Sequence, residues 1–316
     1  MTETGPLFVS SGDLIADRRY KWALDHVAQG DLSGAADILA QTVELVPRFA
    51  TAWFALGAIR DRLGDRAGAI AAFAQARDAD PEDYHGARLQ LARLGAGEAA
   101  PAMTQTYVRR LFDQYAGRYD ASLTENLNYR GPALLRAAVE AAMRAAGRRL
   151  RFGTMLDLGC GTGLGGAAFR DCVDWLVGVD LAPAMIAQAE TKGLYDRLVT
   201  AALADFLMEE AGARGKYHLV LAADVFVYIN DVTPIIAGVA KVLAPHGLFA
   251  FTVETHAGDG VKLLPTLRYA HGEKYLRNAL ATAGLDPVHL SKAAVRSEQG
   301  VPVDSLVVVA QPLSNR

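Results

Sequence analysis

The segment 155–166, MLDLGCGTGLGG, constrains the fold more than any other part of the chain. An apolar run ends there in a loop with glycine at every second position, Gly159, Gly161 and Gly163. Glycine accepts positive φ and lets a ligand approach the backbone, while the helix that follows turns its first N–H groups toward an anion. A strand, a glycine-rich turn and a helix in that order open an α/β sheet that binds its ligand at the carboxyl ends of the strands. The spacing narrows the ligand. A dinucleotide fold wants G-x-G-x-x-G, and here the third glycine comes one residue early.

With Asp157 two residues before Gly159, the run D-L-G-C-G-T-G resembles the first motif of class I methyltransferases that use S-adenosylmethionine. The resemblance implies an α/β, Rossmann-like sheet of seven strands whose last strands form an antiparallel hairpin. It also implies S-adenosylmethionine against Asp157, Gly159, Cys160, Gly161 and Gly163. Segment 175–180 (WLVGVD) reads as a second buried strand, and Asp180 at its end lies one strand–helix–strand unit after Asp157. A carboxylate there can accept both ribose hydroxyls, with Leu181 and Met185 beside it. It can equally cap the helix Pro183 to Glu190. Segment 198–206 (LVTAALADF) reads as a third strand ending at Asp205, which in the family accepts the adenine amino group while the next residue, Phe206, packs on the ring. A cap for the following helix is the alternative for Asp205.

Segment 217–224 (YHLVLAAD) is apolar almost throughout, as in a strand buried on both faces of a parallel sheet. Its end should line the cleft, which makes Ala223 and Asp224 cofactor contacts and Phe226 and Tyr228 candidates for the acceptor rim. A helix Thr233 to Leu243, the turn Pro245-His246-Gly247 and a fifth strand to Glu254 follow in the family's usual order. A helix Glu273 to Ala283 and strands near 287–291 and 304–310 complete the expected sheet.

Segment 112–120, FDQYAGRYD, resembles the F-D-x-Y-A-x-x-Y-D leader of bacterial methyltransferases that carry tetratricopeptide repeats. In related enzymes such a leader, here about 104–132, folds over the cleft, which brings Tyr115, Tyr119 and Arg130 to the methionine portion or the acceptor. Phe112, Tyr115 and Tyr119 can instead form one packed helix face, the better reading for Phe112. The R-Y-A-H stretch 268–271 matches a signature of the same group and gathers Arg268, Tyr269 and His271 beside Glu254 and His256. Methyl transfer from a sulfonium needs mainly in-line positioning, and a base only where the acceptor is protonated. His256 and His271 are the candidate bases, although a loop histidine more often serves only in hydrogen bonding.

The first hundred residues have another period. Laying 16–49 over 50–83 gives a 34-residue repeat in which Trp22 meets Leu56, Ala23 Gly57, Gly30 Gly64, Ala35 Ala69, Leu39 Phe73 and Pro47 Pro81. This is a tetratricopeptide pattern, with 85–94 as a capping first helix. The repeats can grip a peptide or partner protein, join a second subunit, or only pack on a neighbour. The small-residue segment 94–101 separates them from the rest, giving a repeat domain 1–97 and a methyltransferase domain 98–316.

The chain has 316 residues, 51% of them hydrophobic, enough for two cores, and a net charge of −3 with no long basic run, which argues against nucleic acid. No apolar run approaches membrane-spanning length, and residues 1–10 lack a signal-peptide pattern. Cys160 and Cys172 have no C-x-x-C or histidine neighbours, so reduced thiols in the cytoplasm are expected and no metal. The functional expectation is methyl transfer to a small molecule or peptide. The alternatives are a nicotinamide dehydrogenase, disfavoured by the glycine spacing, and a non-catalytic repeat adaptor that retains cofactor binding.

Overall fold

The computed structural model describes residues 7–100, 102–120, 128–212, 216–298 and 300–313. It divides into two compact units, Met1–Arg110 with Pro265–Leu267, and Leu111–Leu264 with Arg268–Arg316. The division falls inside the helix Gln105–Tyr115.

The first unit is helical: Leu14–Ala28, Leu32–Leu45, Ala50–Arg62, Arg66–Ala79 and Ala87–Arg93. Its 34-residue period is visible in the caps. Asp31 and Asp65 each accept the N–H three residues on, from Gly34 and Gly68, both at 2.8 Å. Gly30 and Gly64 precede them in the left-handed region, at φ 83° and 81°, where a side chain would be strained. Ala35, Ala69, Leu39 and Phe73 are fully buried. A Cβ on Gly57 would stand 2.7 Å from the Phe73 ring, so the small residue lets these two helices close. The repeat is not uniform: Leu56 is buried, but Trp22 at the matching position is 63% exposed. Among the described residues no earlier helix covers that outer face.

The second unit is built on one sheet. Its strands are β1 Phe152–Leu158, β2 Val173–Asp180, β3 Arg197–Thr200, β4 Tyr217–Ala222, β5 Leu243–Glu254, β6 Val261–Leu263, β7 Tyr269–His271, β8 Leu285–Glu298 and β9 Val301–Pro312. The parallel order is β3-β2-β1-β4-β5; β9 then runs antiparallel to β5, with β8 beyond it. These seven strands are the expected sheet. A short β6–β7 hairpin is added, touching the end of β5 at Glu254↔Ala270. Strands of three residues have too little alternation to be read from sequence.

Side chains alternate across the central strands. Leu156, Leu158, Val177, Val179, Val220, Phe249 and Phe251 share one core with the helix Thr233–Val242. Met155, Leu176, Leu219, Leu221 and Leu248 share the other with the helix Gly131–Ala145. Each such fully buried side chain stabilises the fold by about 1.5–3 kcal/mol. With both faces covered, such a sheet takes its ligand outside the carboxyl ends of the strands.

The third strand is shorter than expected. It stops at Thr200, and 203–210 forms a helix, so Asp205 stands exposed in the first helical turn and not at a strand end. An apolar run fits either element, and here only four residues pair with β2.

Candidate functional site

The loop after β1 is held by backbone bonds: the Cys160 N–H donates to Val179 O at 2.9 Å and the Gly163 N–H to Cys160 O at 2.8 Å. Gly159, Gly161 and Gly163 all have positive φ, at 65°, 53° and 98°. The three glycines face different surroundings. A Cβ on Gly159 would lie 2.5 Å from Val225 Cγ2, and one on Gly163 would lie 3.0 Å from the Tyr195 ring. At Gly161 the nearest atom among the described residues, its chain neighbours aside, is Tyr119 Cε1 at 3.8 Å, an ordinary contact, so this glycine is the least crowded of the three.

Two carboxylates frame the loop. Asp180 accepts the N–H of Gly161 at 2.9 Å and of Ala182 at 2.8 Å, so it both braces the glycine turn and supports the start of the helix Pro183–Thr191. Burial raises its carboxyl above the ordinary value despite these bonds. Asp157 points beneath the loop, where it accepts the Tyr195 hydroxyl at 2.7 Å, and burial pushes it up to about 7. Tyr195, which no sequence motif marks, also receives the Gly166 N–H at 3.2 Å. Cys160 is buried within the loop, its thiol driven well above the usual value by desolvation.

The leader packs on the end of β2. Asp113 accepts the Ala184 N–H at 3.0 Å, a carboxylate at a helix N-terminus. Phe112, Tyr115, Ala116 and Tyr119 surround Ala182 and Met185, and Leu181 is half-buried beside them. Asp120 takes the Thr162 hydroxyl and, at 2.6 Å, the Lys192 ammonium. Phe112 is a packed ring, as expected, edge-on to Tyr119 at 6.0 Å and to Tyr228 at 5.1 Å. The Tyr115 hydroxyl is buried without a hydrogen-bond partner among the described residues. Leader residues 121–127 lie outside the described set. Arg130 is exposed, and its N–H donates to Val295 O at 2.8 Å. Its neighbour Tyr129 is half-buried, its phenol raised by desolvation and by the charge of Asp224.

Past β4 the backbone takes an unusual form. Asp224 has φ 59°, rare for a residue with a side chain, and its N–H donates to Thr252 Oγ1 at 2.8 Å. Its carboxylate meets Arg296 Nη1 at 2.7 and 2.9 Å. Arg296 is only 1% exposed and also contacts Glu254 and Glu298, while Arg268 pairs with Glu298, approaches Glu254 at 3.8 Å and bonds the Tyr228 phenol. Arg268, Glu254 and Tyr228 therefore do meet near Asp224. Ala223, half-buried, packs against the core facing the helix Gly131–Ala145.

Other expected contacts are corrected. Phe226 is fully buried between Phe249 and Phe251, a core ring and not an acceptor contact. Phe206 belongs to the same core and carries Arg197 over its ring. Tyr269 is buried on β7. His271 is also fully buried; its Nε2 faces the carbonyls of Ile229 at 3.0 Å and Asn230 at 3.3 Å, and desolvation pushes it down to about 4. A neutral ring pinned to carbonyls is not a general base for an incoming acceptor. His256 lies in the loop after β5, accepting the Gly258 N–H at 3.1 Å and facing Gly260 O at 3.3 Å.

Comparison with known proteins follows this division. Residues 156–249 match the methyltransferase domain family. Residues 20–84 match the tetratricopeptide repeat family. Human methyltransferase-like protein 27 is 36% identical over 108 residues, which are 34% of this chain and 42% of that protein. The match thus spans about two fifths of the relative's length. Two solved structures share the fold: a Burkholderia thailandensis 1,6-didemethyltoxoflavin N1-methyltransferase (19% identity, TM-score 0.50, 66% of this chain and 88% of that one) and a Synechocystis magnesium protoporphyrin IX methyltransferase (18%, 0.51, 66% and 99%). Both of those structures hold S-adenosylhomocysteine. The second unit has the Rossmann-like methyltransferase fold, and the helical region before it carries tetratricopeptide repeats.

Proposed function

We propose that the chain transfers a methyl group from S-adenosylmethionine to a small-molecule or peptide acceptor. The observation that carries this reading is the pairing of Asp180 with Gly161 in a positive-φ glycine loop at the carboxyl end of β1. A strand-end carboxylate beside a glycine loop, with no described side chain nearer than 3.8 Å to the Gly161 Cβ position, fits a ribose and the chain it bears. The Tyr115 hydroxyl, on a ring packed against Ala182 and Met185 and without a partner among the described residues, favours a polar ligand beside it, because a buried unmet hydroxyl is costly.

In this reading Gly159, Cys160, Gly161 and Gly163 form the bed for the methionine portion, and Asp157 holds that bed from below. Asp180 receives the ribose hydroxyls, and Leu181, Met185, Tyr115 and Tyr119 close around them. With Asp205 turned outward, the adenine is left to the strand end at Thr200–Ala202. The bound sulfonium supplies an electrophilic methyl group. The protein's own task is alignment and exclusion of water by the leader rings Phe112, Tyr115 and Tyr119.

The repeats are assigned to a protein partner or a second subunit, since stacked helix pairs present a surface for extended segments. Two free, buried thiols favour a cytoplasmic setting, and no described helix is long and apolar enough to cross a membrane. Calorimetric titration with S-adenosylhomocysteine tests the reading. Saturable binding supports it, and no binding by folded protein overturns it.

A further inference from the structure

We infer that residues 7–9 are an internal occupant of a peptide site on the repeats, which a protein partner gains by displacing them. This deepens the assignment of the repeats to a protein partner and rests on it. Asp17, Thr51 and His85 stand at one repeat position, spaced by the 34-residue period, at or just before the start of three successive first helices. Stacking brings such a position into a row, and Thr51 Oγ1 lies 3.0 Å from His85 Nε2. The segment 7–11, which has no helix or strand of its own, meets every member of that row. Ser10 and Ser11 bond the Asp17 carboxylate. The Val9 N–H donates to Thr51 Oγ1 at 3.2 Å, and the same hydroxyl donates to Val9 O at 2.9 Å. The backbone of Leu7 bears on His85. Five residues that touch three helices are close to full extension, since packed helices stand about 8–10 Å apart and a chain spans at most about 3.3–3.6 Å per residue.

The seat is built, and its occupant sits loosely. Phe8 places its ring 5.4 Å from that of Tyr20 and 6.5 Å from that of Phe49. Tyr20, Phe49, Thr51 and His85 are at most 5% exposed, whereas Phe8 and Val9 remain 46% and 42% exposed. A hydroxyl has one proton to give and two lone pairs, so Thr51 is saturated by Val9 and His85, with His85 Nε2 donating the third bond. The Tyr20 hydroxyl is buried with no hydrogen-bond partner among the described residues, a cost that a better-fitted peptide removes. The partner that fits is an extended, uncharged peptide stretch, because a charge taken into so buried a seat would be costly. It carries one aromatic or bulky apolar side chain for the Tyr20–Phe49 seat. The next residue gives its backbone N–H and C=O to Thr51, which excludes proline there.

The test uses the full chain and a fluorescent peptide with the sequence of residues 4–13. A short tether holds the internal segment at an effective concentration of about millimolar, so a free peptide competes poorly with it in the parent. Phe8→Ala together with Val9→Pro removes the ring and the N–H donor from that segment, and circular dichroism verifies that the helices are kept. Fluorescence anisotropy should show the peptide bound to this variant at least about tenfold more tightly than to the parent. The same two changes made in the peptide, or Thr51→Val added to the variant chain, should abolish the gain. Equal binding to parent and variant overturns the internal occupancy and leaves the repeats a peptide site. Binding to neither overturns the peptide site itself.

Discussion

Arg296 and Asp224 are 72 residues apart in the chain, yet one guanidinium nitrogen lies 2.7 and 2.9 Å from the two oxygens of that carboxylate. The bond holds Asp224 in a left-handed backbone conformation that costs about 1–2 kcal/mol for a residue with a Cβ. It also compensates Glu254 and Glu298, one of which is almost fully buried.

Arg296→Met should therefore be strongly destabilising, because it strands buried carboxylates. The expected loss is about 3–5 kcal/mol, read from the shift in urea midpoint. A loss below about 1 kcal/mol would mean that water already solvates the cluster.

The glycine loop predicts an order of severity. Gly159→Ala adds a Cβ 2.5 Å from Val225 to the strain of positive φ, whereas Gly161→Ala meets, among the described residues, Tyr119 at 3.8 Å. Thermal unfolding should show the first variant clearly less stable than the second. Cofactor affinity should fall in both, and in Gly161→Ala it should fall more than stability does.

Asp157 links stability to pH. Its folded-state carboxyl is raised to about 7, above the roughly 3.9 of an unfolded chain, so between those values the native state holds a proton that the unfolded state has released. This contribution lowers stability as pH rises from about 4 to 7, by at most about 1.4 kcal/mol per unit. Asp157→Asn should flatten that part of the curve relative to the parent. Parallel curves would show that the group ionises normally.

Much of the fold could be read from sequence because its signals are local. The glycine loop, the apolar strands ending at Leu158 and Asp180, and the 34-residue repeat all have short periods or spacings. The charged cluster could not be read that way. Arg296 reaches Asp224 only through the register of a long antiparallel hairpin, and no spacing within β8 marks it. Tyr195 was missed for the same reason, sitting in a loop 38 residues from Asp157. Asp205 was misplaced because an apolar run does not say where a strand gives way to a helix. His271 looked reactive by residue type, and its complete burial makes it a packed ring bonded to backbone.

The division of labour between the repeats and the sheet gives another expectation. A chain beginning near Met103 retains every residue assigned to the cofactor and should bind S-adenosylhomocysteine with unchanged affinity once folding is verified by circular dichroism. Loss of affinity in a folded truncation would mean that the repeats help to build the site.

The most direct measurement is a pair of calorimetric titrations, the parent chain and Asp180→Asn, each with S-adenosylhomocysteine and with NAD. The parent should bind S-adenosylhomocysteine and not NAD. The variant should bind about thirtyfold or more weakly, the equivalent of losing about 2–4 kcal/mol of charged hydrogen bonding. Thermal unfolding of the variant should show a smaller loss from the Gly161 and Ala182 amides. Binding of NAD alone, or S-adenosylhomocysteine affinity indifferent to Asp180, would contradict the account.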